Sequence, residues 1–230
     1  MEGDLLHVGG HSYPLSRFSC IVVTGAGKAT PAMAAAVEEL LGDRITAGAI
    51  NTKYGHSQSL AHIDTTECGH PIPDEAGVEG TRRMLGLLND LDEKSLVVCL
   101  FSGGGSALMP APGQGITLAQ KQRVTQLLLE CGASIDEINT VRKHLSTIKG
   151  GLLARHAQPA TVISLLMSDV IGDRLDTIAS GPTYPDPTRF EDCLEIADRF
   201  GLGARYQVSA NRGGQAEETP RSEERRVGKE

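Results

Sequence analysis

Two glycine-rich stretches, each following an apolar run, carry the residues best suited to chemistry. In Thr24-Gly25-Ala26-Gly27-Lys28 a lysine follows a Gly-x-Gly turn, and in Ser102-Gly103-Gly104-Gly105-Ser106 consecutive glycines stand between two hydroxyls. Glycine reaches backbone conformations that turn several N–H groups toward one point, so either stretch can cradle a phosphate or a carboxylate. Lys28 adds an ammonium at the mouth of the first, and Ser102 and Ser106 add hydroxyl donors to the second. The plainer reading of the second stretch is a structural turn, or a flexible loop that binds nothing.

A further set lies downstream. Asn139, Arg142, Lys143, Ser146 and Lys149 recur at helical spacing opposite the apolar Ile138, Val141, Leu145 and Ile148. After Glu137 this polar side carries no carboxylate until well past Gly151, so it reads either as a cationic face that contacts substrate or phosphate, or as an ordinary surface. Asp169 and Asp173 follow the apolar run Thr161 to Met167. Carboxylates leaving the carboxyl edge of a strand can hold Mg²⁺ or act as a base, and turn-forming or capping aspartates are equally common there. His70, beside Pro71, reads as structural, with ligand contact as the alternative.

These residues need a scaffold, and the apolar pattern supplies one. Leu96 to Phe101, bounded by charge before and glycine after, predicts a central strand buried on both faces, the pattern of a parallel sheet. Cys20–Val23, Thr46–Ile50, Ile63–Cys68 and Thr161–Met167 predict further strands. Thr30 is expected to cap a helix through Leu41, Asp74 one from Glu75 to Asn89, and Thr117 one through Leu129. Ser134 with Glu137 forms a capping box for the helix after Gly132, and Phe190 to Phe200 predicts a last one. Alternating strands and helices give an α/β fold, in which ligands bind outside the carboxyl ends of the strands. Residues 1–17 show no helical period and are expected to be an irregular lead-in, with His7 and His11 solvated.

Two phosphate motifs are excluded. A Walker A loop needs glycine at Val22 and Ser or Thr at Ala29. A dinucleotide fingerprint needs a small residue at Thr30 and an acid closing the following strand, where Ile50-Asn51-Thr52-Lys53 has none.

The composition is that of a globular chain with 40% apolar residues, 27 glycines and no tryptophan, so the core is aliphatic. A net charge of -7 argues against general nucleic-acid binding and for a small-molecule partner. Five cysteines without a CxxC pair read as reduced thiols, and no apolar run reaches the length of a membrane span, so a cytoplasmic location is expected.

Placed in order, the motifs resemble the glycerate 2-kinase family, also labelled hydroxypyruvate reductase. The resemblance rests on Gly25-Ala-Gly-Lys-Ala29, Gly69-His-Pro-Ile-Pro-Asp74, Ser102-Gly-Gly-Gly-Ser-Ala-Leu108, Asn139-Thr-Val-Arg-Lys-His-Leu-Ser146, Lys149-Gly-Gly151, Leu166-Met-Ser-Asp-Val-Ile-Gly-Asp173 and Ser180-Gly-Pro182. It implies a Rossmann-like parallel-sheet sandwich with helices on both faces over residues 18–202, the N-terminal domain of a two-domain enzyme whose active site lies in the cleft between its domains. It further implies transfer of the γ-phosphoryl group of ATP, with Mg²⁺, to the C2 hydroxyl of D-glycerate, and Lys28 matches the family's functional lysine. Residues 203–220 would begin the interdomain segment, and Arg221–Glu230 reads as a non-native tail resembling a translated sequencing adapter. The second domain is missing, so the chain alone is expected to be inactive. A homodimer is left open. The alternatives are an NAD(P)-dependent hydroxypyruvate reductase, against which the missing ribose-binding carboxylate counts, and a non-catalytic module that binds sugar phosphates or other anions.

Overall fold

The first strands form where an irregular lead-in was expected. In the computed structural model, which describes residues 3–168 and 172–202, β1 (Leu5–Val8) and β2 (His11–Pro14) pair as an antiparallel hairpin. Gly9 and Gly10 turn it with φ of 56° and 81°, the left-handed pair a two-residue hairpin requires. Leu6, Val8 and Tyr13 pack on the main core, and each strand is too short to show a period by itself.

The main sheet is parallel throughout, with β5 (Ile63–Cys68), β4 (Ala47–Lys53), β3 (Cys20–Ala26), β6 (Ser95–Phe101) and β7 (Thr161–Leu166) in that spatial order. The predicted central strand, β6, is therefore interior but lies one place from the middle, which β3 occupies. All of β6 is buried because both of its faces are covered. Val97, Cys99 and Phe101 enter one core and Leu96, Val98 and Leu100 the other, which is why the run is continuously apolar. Each such side chain contributes roughly 1.5–3 kcal/mol relative to exposure.

Helices cover the two faces. α1 (Thr30–Leu41) lies on one with Ala34, Val37 and Leu41. α2 (Glu75–Leu87) contributes Met84 to the other, with Leu108 of α3 (Gly105–Leu108) beside it. α2 starts as expected: Asp74 accepts from the Gly77 amide at 3.0 Å. Buried Asn51 of β4 binds both helices to the sheet, donating to Gly77 O at 3.1 Å and Leu108 O at 2.7 Å.

Between α3 and β7 the chain forms α4 (Leu118–Glu130), α5 (Ile135–His144) and α6 (Leu152–His156), and α7 (Phe190–Arg199) follows β7. α4, α5 and α7 share a separate apolar cluster around Leu127, Leu128, Ile138, Val141, Cys193 and Ile196. Thr117 caps α4 as expected, and does so in a capping box with Gln120; the expected box of Ser134 with Glu137 is present on α5. α5 stops at His144, so Ser146 and Lys149 stand beyond it rather than on its polar side. That side is no ordinary surface either, because Asn139 and Lys143 are buried, as are Ser146 and Lys149 beyond it.

A candidate active site between two glycine loops

β3 and β6 are neighbours whose chains continue in opposite directions across the sheet, to β4 and to β7. This is the topological switch point, where an open parallel sheet leaves a crevice at its carboxyl edge. Both glycine stretches end there. Gly25 lies inside β3, in register with Ile50 and Leu100, and a Cβ on it would stand 1.9 Å from Leu100 O. A Cβ on Gly27 would stand 2.0 Å from Ser102 Oγ. These two glycines allow the strands and loops to approach each other.

The first loop does not present its amides to a ligand, contrary to expectation. Gly27 N–H donates to Asn51 O at 3.1 Å, Lys28 N–H to Gly103 O at 3.0 Å and Ala29 N–H to Ser102 Oγ at 3.0 Å. Thr30 is also not the helix cap. It is buried with its hydroxyl 3.3 Å from Ser102 Oγ, and the N-cap position falls to Ala29, which makes no side-chain bond. The adjacent β6 loop takes up what an isolated strand-turn-helix would leave free.

The second loop keeps the free donors. Gly104 turns with φ 86°, Gly105 N–H closes onto Ser102 O, and the amides of Gly103, Gly104 and Ser106 bond to no protein group among the described residues. Two side chains lie against this turn. A Cβ on Gly104 would meet His70 Nε2 at 2.8 Å and Lys28 Cε at 3.2 Å. Lys28 is exposed. Burial, then the charges of Lys28 and Lys53, hold the His70 imidazole below its ordinary pKa. An imidazole biased toward its neutral form thus lies with the Lys28 side chain against Gly104, on a loop whose amides find no protein partner among the described residues. Sequence reading took His70 as structural and gave Lys53 no role. The available signal was that Lys53 ends β4 and His70 follows β5 by two residues, both at the carboxyl edge of the sheet.

On the other flank of the loop, Ser106 Oγ lies 2.8 Å from Ser180 Oγ, and the Ser180 hydroxyl donates to Asn139 Oδ1 at 3.4 Å. The Lys149 ammonium donates to Ser106 O at 3.0 Å and Ala179 O at 3.3 Å. Ala179 and Ser180 have φ of 51° and 63°, each costing about 1–3 kcal/mol for a residue with a side chain. The bonds from Lys149 and Ser106 help hold that strain beside the loop. Asn139 and Lys149, expected to touch substrate, are instead buried supports beneath Ser106 and Ser180. Arg142 remains partly exposed.

Of the two candidate metal ligands, Asp169 lies outside the described residues. Asp173 is exposed at a φ of 48°. Among the described residues no three His, Cys, Asp or Glu side chains gather as a metal cage. Mg²⁺ commonly takes one or two carboxylates and completes its shell with phosphate oxygens and water, a pattern a single exposed aspartate fits. Among these residues, too, no helix is long and apolar enough to cross a membrane.

Comparison with known proteins places the chain among relatives of similar sequence and fold. A family model described as "Domain of unknown function (DUF4147)" matches residues 2–212. The D-glycerate 2-kinase of Thermotoga maritima is 48% identical over 183 residues, 79% of this chain and 44% of that protein. A protein of Agrobacterium vitis that carries the hydroxypyruvate reductase label is 46% identical over 197 residues, 84% of this chain and 51% of that one. The crystal structure of glycerate kinase from Thermotoga maritima superposes with a TM-score of 0.80 at 43% identity, covering 87% of this chain and 48% of that one. The chain thus spans about half the length of the proteins it matches.

Proposed function

Because the chain belongs to the DUF4147 family, the N-terminal domain of glycerate kinases, we propose that it is the glycine-loop half of a cytoplasmic, ATP-dependent D-glycerate 2-kinase. The observation that carries this reading is the convergence of Lys28 and His70 on Gly104, in a loop where the amides of Gly103, Gly104 and Ser106 have no protein partner among the described residues. Phosphoryl transfer asks little covalent chemistry of a protein and much positioned positive charge. The loop amides and the Lys28 ammonium would hold the transferring phosphoryl oxygens, with Lys53 adding to the local potential.

In the step itself the C2 hydroxyl oxygen forms a bond to the γ-phosphorus, and the bond from that phosphorus to the bridging oxygen of ATP breaks with its electron pair leaving on ADP. The hydroxyl proton needs an acceptor. Neutral His70, kept unprotonated by burial and by its lysine neighbours, is suited to take it. Asp173, with Asp169, would hold Mg²⁺, which when bound offsets the charge of the phosphates.

The reductase reading has a specific observation against it, since β4 ends in Asn51-Thr52-Lys53, with no acid for a ribose. The test is a coupled assay of ADP release from ATP and D-glycerate, run on the protein completed to the length of its relatives. Turnover is expected. Oxidation of NADH or NADPH by hydroxypyruvate without ADP release would replace this reading with the reductase, and ligand binding without any turnover would leave an anion-binding module.

A further inference from the structure

Arg142 and Lys143 are consecutive residues of α5 in opposite electrostatic situations. Lys143 is buried, and its ammonium reaches Asp186 at 3.2 Å and Asp176 at 3.7 Å. That is the usual condition for a structural cation removed from water. Arg142, Lys121 and Lys149 lack it. Lys121 is 5% exposed and donates to Leu145 O at 3.1 Å. Lys149 is fully buried on the carbonyls of Ser106 and Ala179. Arg142 has no hydrogen bond or ion pair among the described residues.

The three cations feel one another. After burial, Lys121 and Arg142 lower the Lys149 ammonium further, and Arg142 adds to the burial that brings Lys121 to about 7. Basic groups gathered with no carboxylate partner among the described residues are costly to charge unless an anion joins them. The two lysines are sealed, so Arg142 is the member that reaches solvent and can meet such an anion.

We propose that Arg142 binds the carboxylate of a small 2-hydroxy acid, an anion separate from the phosphate held at Gly104. This rests on the kinase reading above. Lys28 and His70 lie against Gly104, whereas Ser106 is joined through Ser180 to Asn139, three residues before Arg142 on α5. A substrate whose hydroxyl faces the phosphoryl group then has its carboxylate directed across the loop. The guanidinium fork matches a planar carboxylate with two parallel hydrogen bonds.

The test is thermal melting of this chain with D-glycerate, ATP and inorganic phosphate at constant ionic strength, in the wild type, Arg142→Gln and Lys28→Gln. D-Glycerate should raise the wild-type Tm, and Arg142→Gln should weaken that response at least about tenfold. Without ligand, Arg142→Gln should melt no lower than the wild type, because it removes an unmatched charge. The ATP and phosphate responses should survive Arg142→Gln and fail in Lys28→Gln. A clearly lower Tm of ligand-free Arg142→Gln, an unchanged glycerate response in that variant, or no response in the wild type overturns the proposal. A phosphate response lost in Arg142→Gln assigns the cluster to phosphate and overturns the carboxylate site. A Lys28-dependent ATP response without the glycerate one leaves the kinase reading and removes this site; the reverse pattern does the opposite.

Discussion

Ser102 Oγ accepts the Ala29 amide proton at 3.0 Å, so the first residue of the β6 loop closes the start of the helix that follows β3. Through this bond the two glycine loops form one structure, and Lys28 is carried over Gly104. Ser102 is buried, so Ser102→Ala leaves the Ala29 amide without a partner and should cost about 1–3 kcal/mol in chemical denaturation. Unchanged stability would mean that water replaces the hydroxyl.

Lys28→Met should move the His70 pKa up toward its ordinary value, read from the imidazole resonances in an NMR titration. Lys28 is the second-largest cause of the depression, after burial, so the return is partial. The sign extends to stability. The unfolded state binds the His70 proton at higher pH than the folded state, so stability is lost as pH falls through the ordinary histidine range, and Lys28→Met should lessen that loss. Identical titration in both proteins would place Lys28 away from His70.

In the protein completed to the length of its relatives, Lys28→Ala should lower kcat roughly a hundredfold with an unchanged Tm, because charge aimed at the transferring group acts mainly in the transition state. Near-normal kcat would reduce Lys28 to a surface lysine.

Lys143→Met should destabilise by about 3–5 kcal/mol, because among the described residues it leaves buried Asp186 with only Thr188 as donor to Oδ1 and with no partner at Oδ2. Adding Asp186→Asn should recover much of the loss. If the single and double variants melt together, the pair is not the origin of the effect.

Lys121 gives a dependence on pH in the alkaline direction. Its folded pKa of about 7 lies below its ordinary 10.5, so above pH 7 the unfolded state binds more protons and stability rises with pH. The useful window ends near pH 9, where thiols such as Cys68 and Cys99, pushed up to about 12 by burial, begin to act in the opposite sense. Across that window the wild type should gain stability relative to Lys121→Met. Parallel curves would show that Lys121 is solvated.

Much of the scaffold was legible in the chain. Leu96 to Phe101 had to be a strand buried on both faces, and Asp74, Thr117 and Ser134 had to begin helices, because those signals act within one element. The hairpin at Leu5–Pro14 escaped notice because two four-residue strands carry too little pattern until they lie on a core.

Sequence alone determined the family motifs, the two glycine loops at strand ends and the cationic character of the stretch from Asn139 to Lys149. Only the tertiary structure decided what each part does. It used the Gly27 to Ala29 amides in joining the loops, left those of Gly103, Gly104 and Ser106 without a protein partner among the described residues, buried Asn139 and Lys149 as supports, and brought His70 and Lys28 together at Gly104. The physical reason is that a capping signal or an apolar period depends on neighbours a few residues away. Whether an amide or a charge is satisfied depends on groups distant in the chain, as Ser102 is from Ala29, and those meet only when β3 and β6 pair.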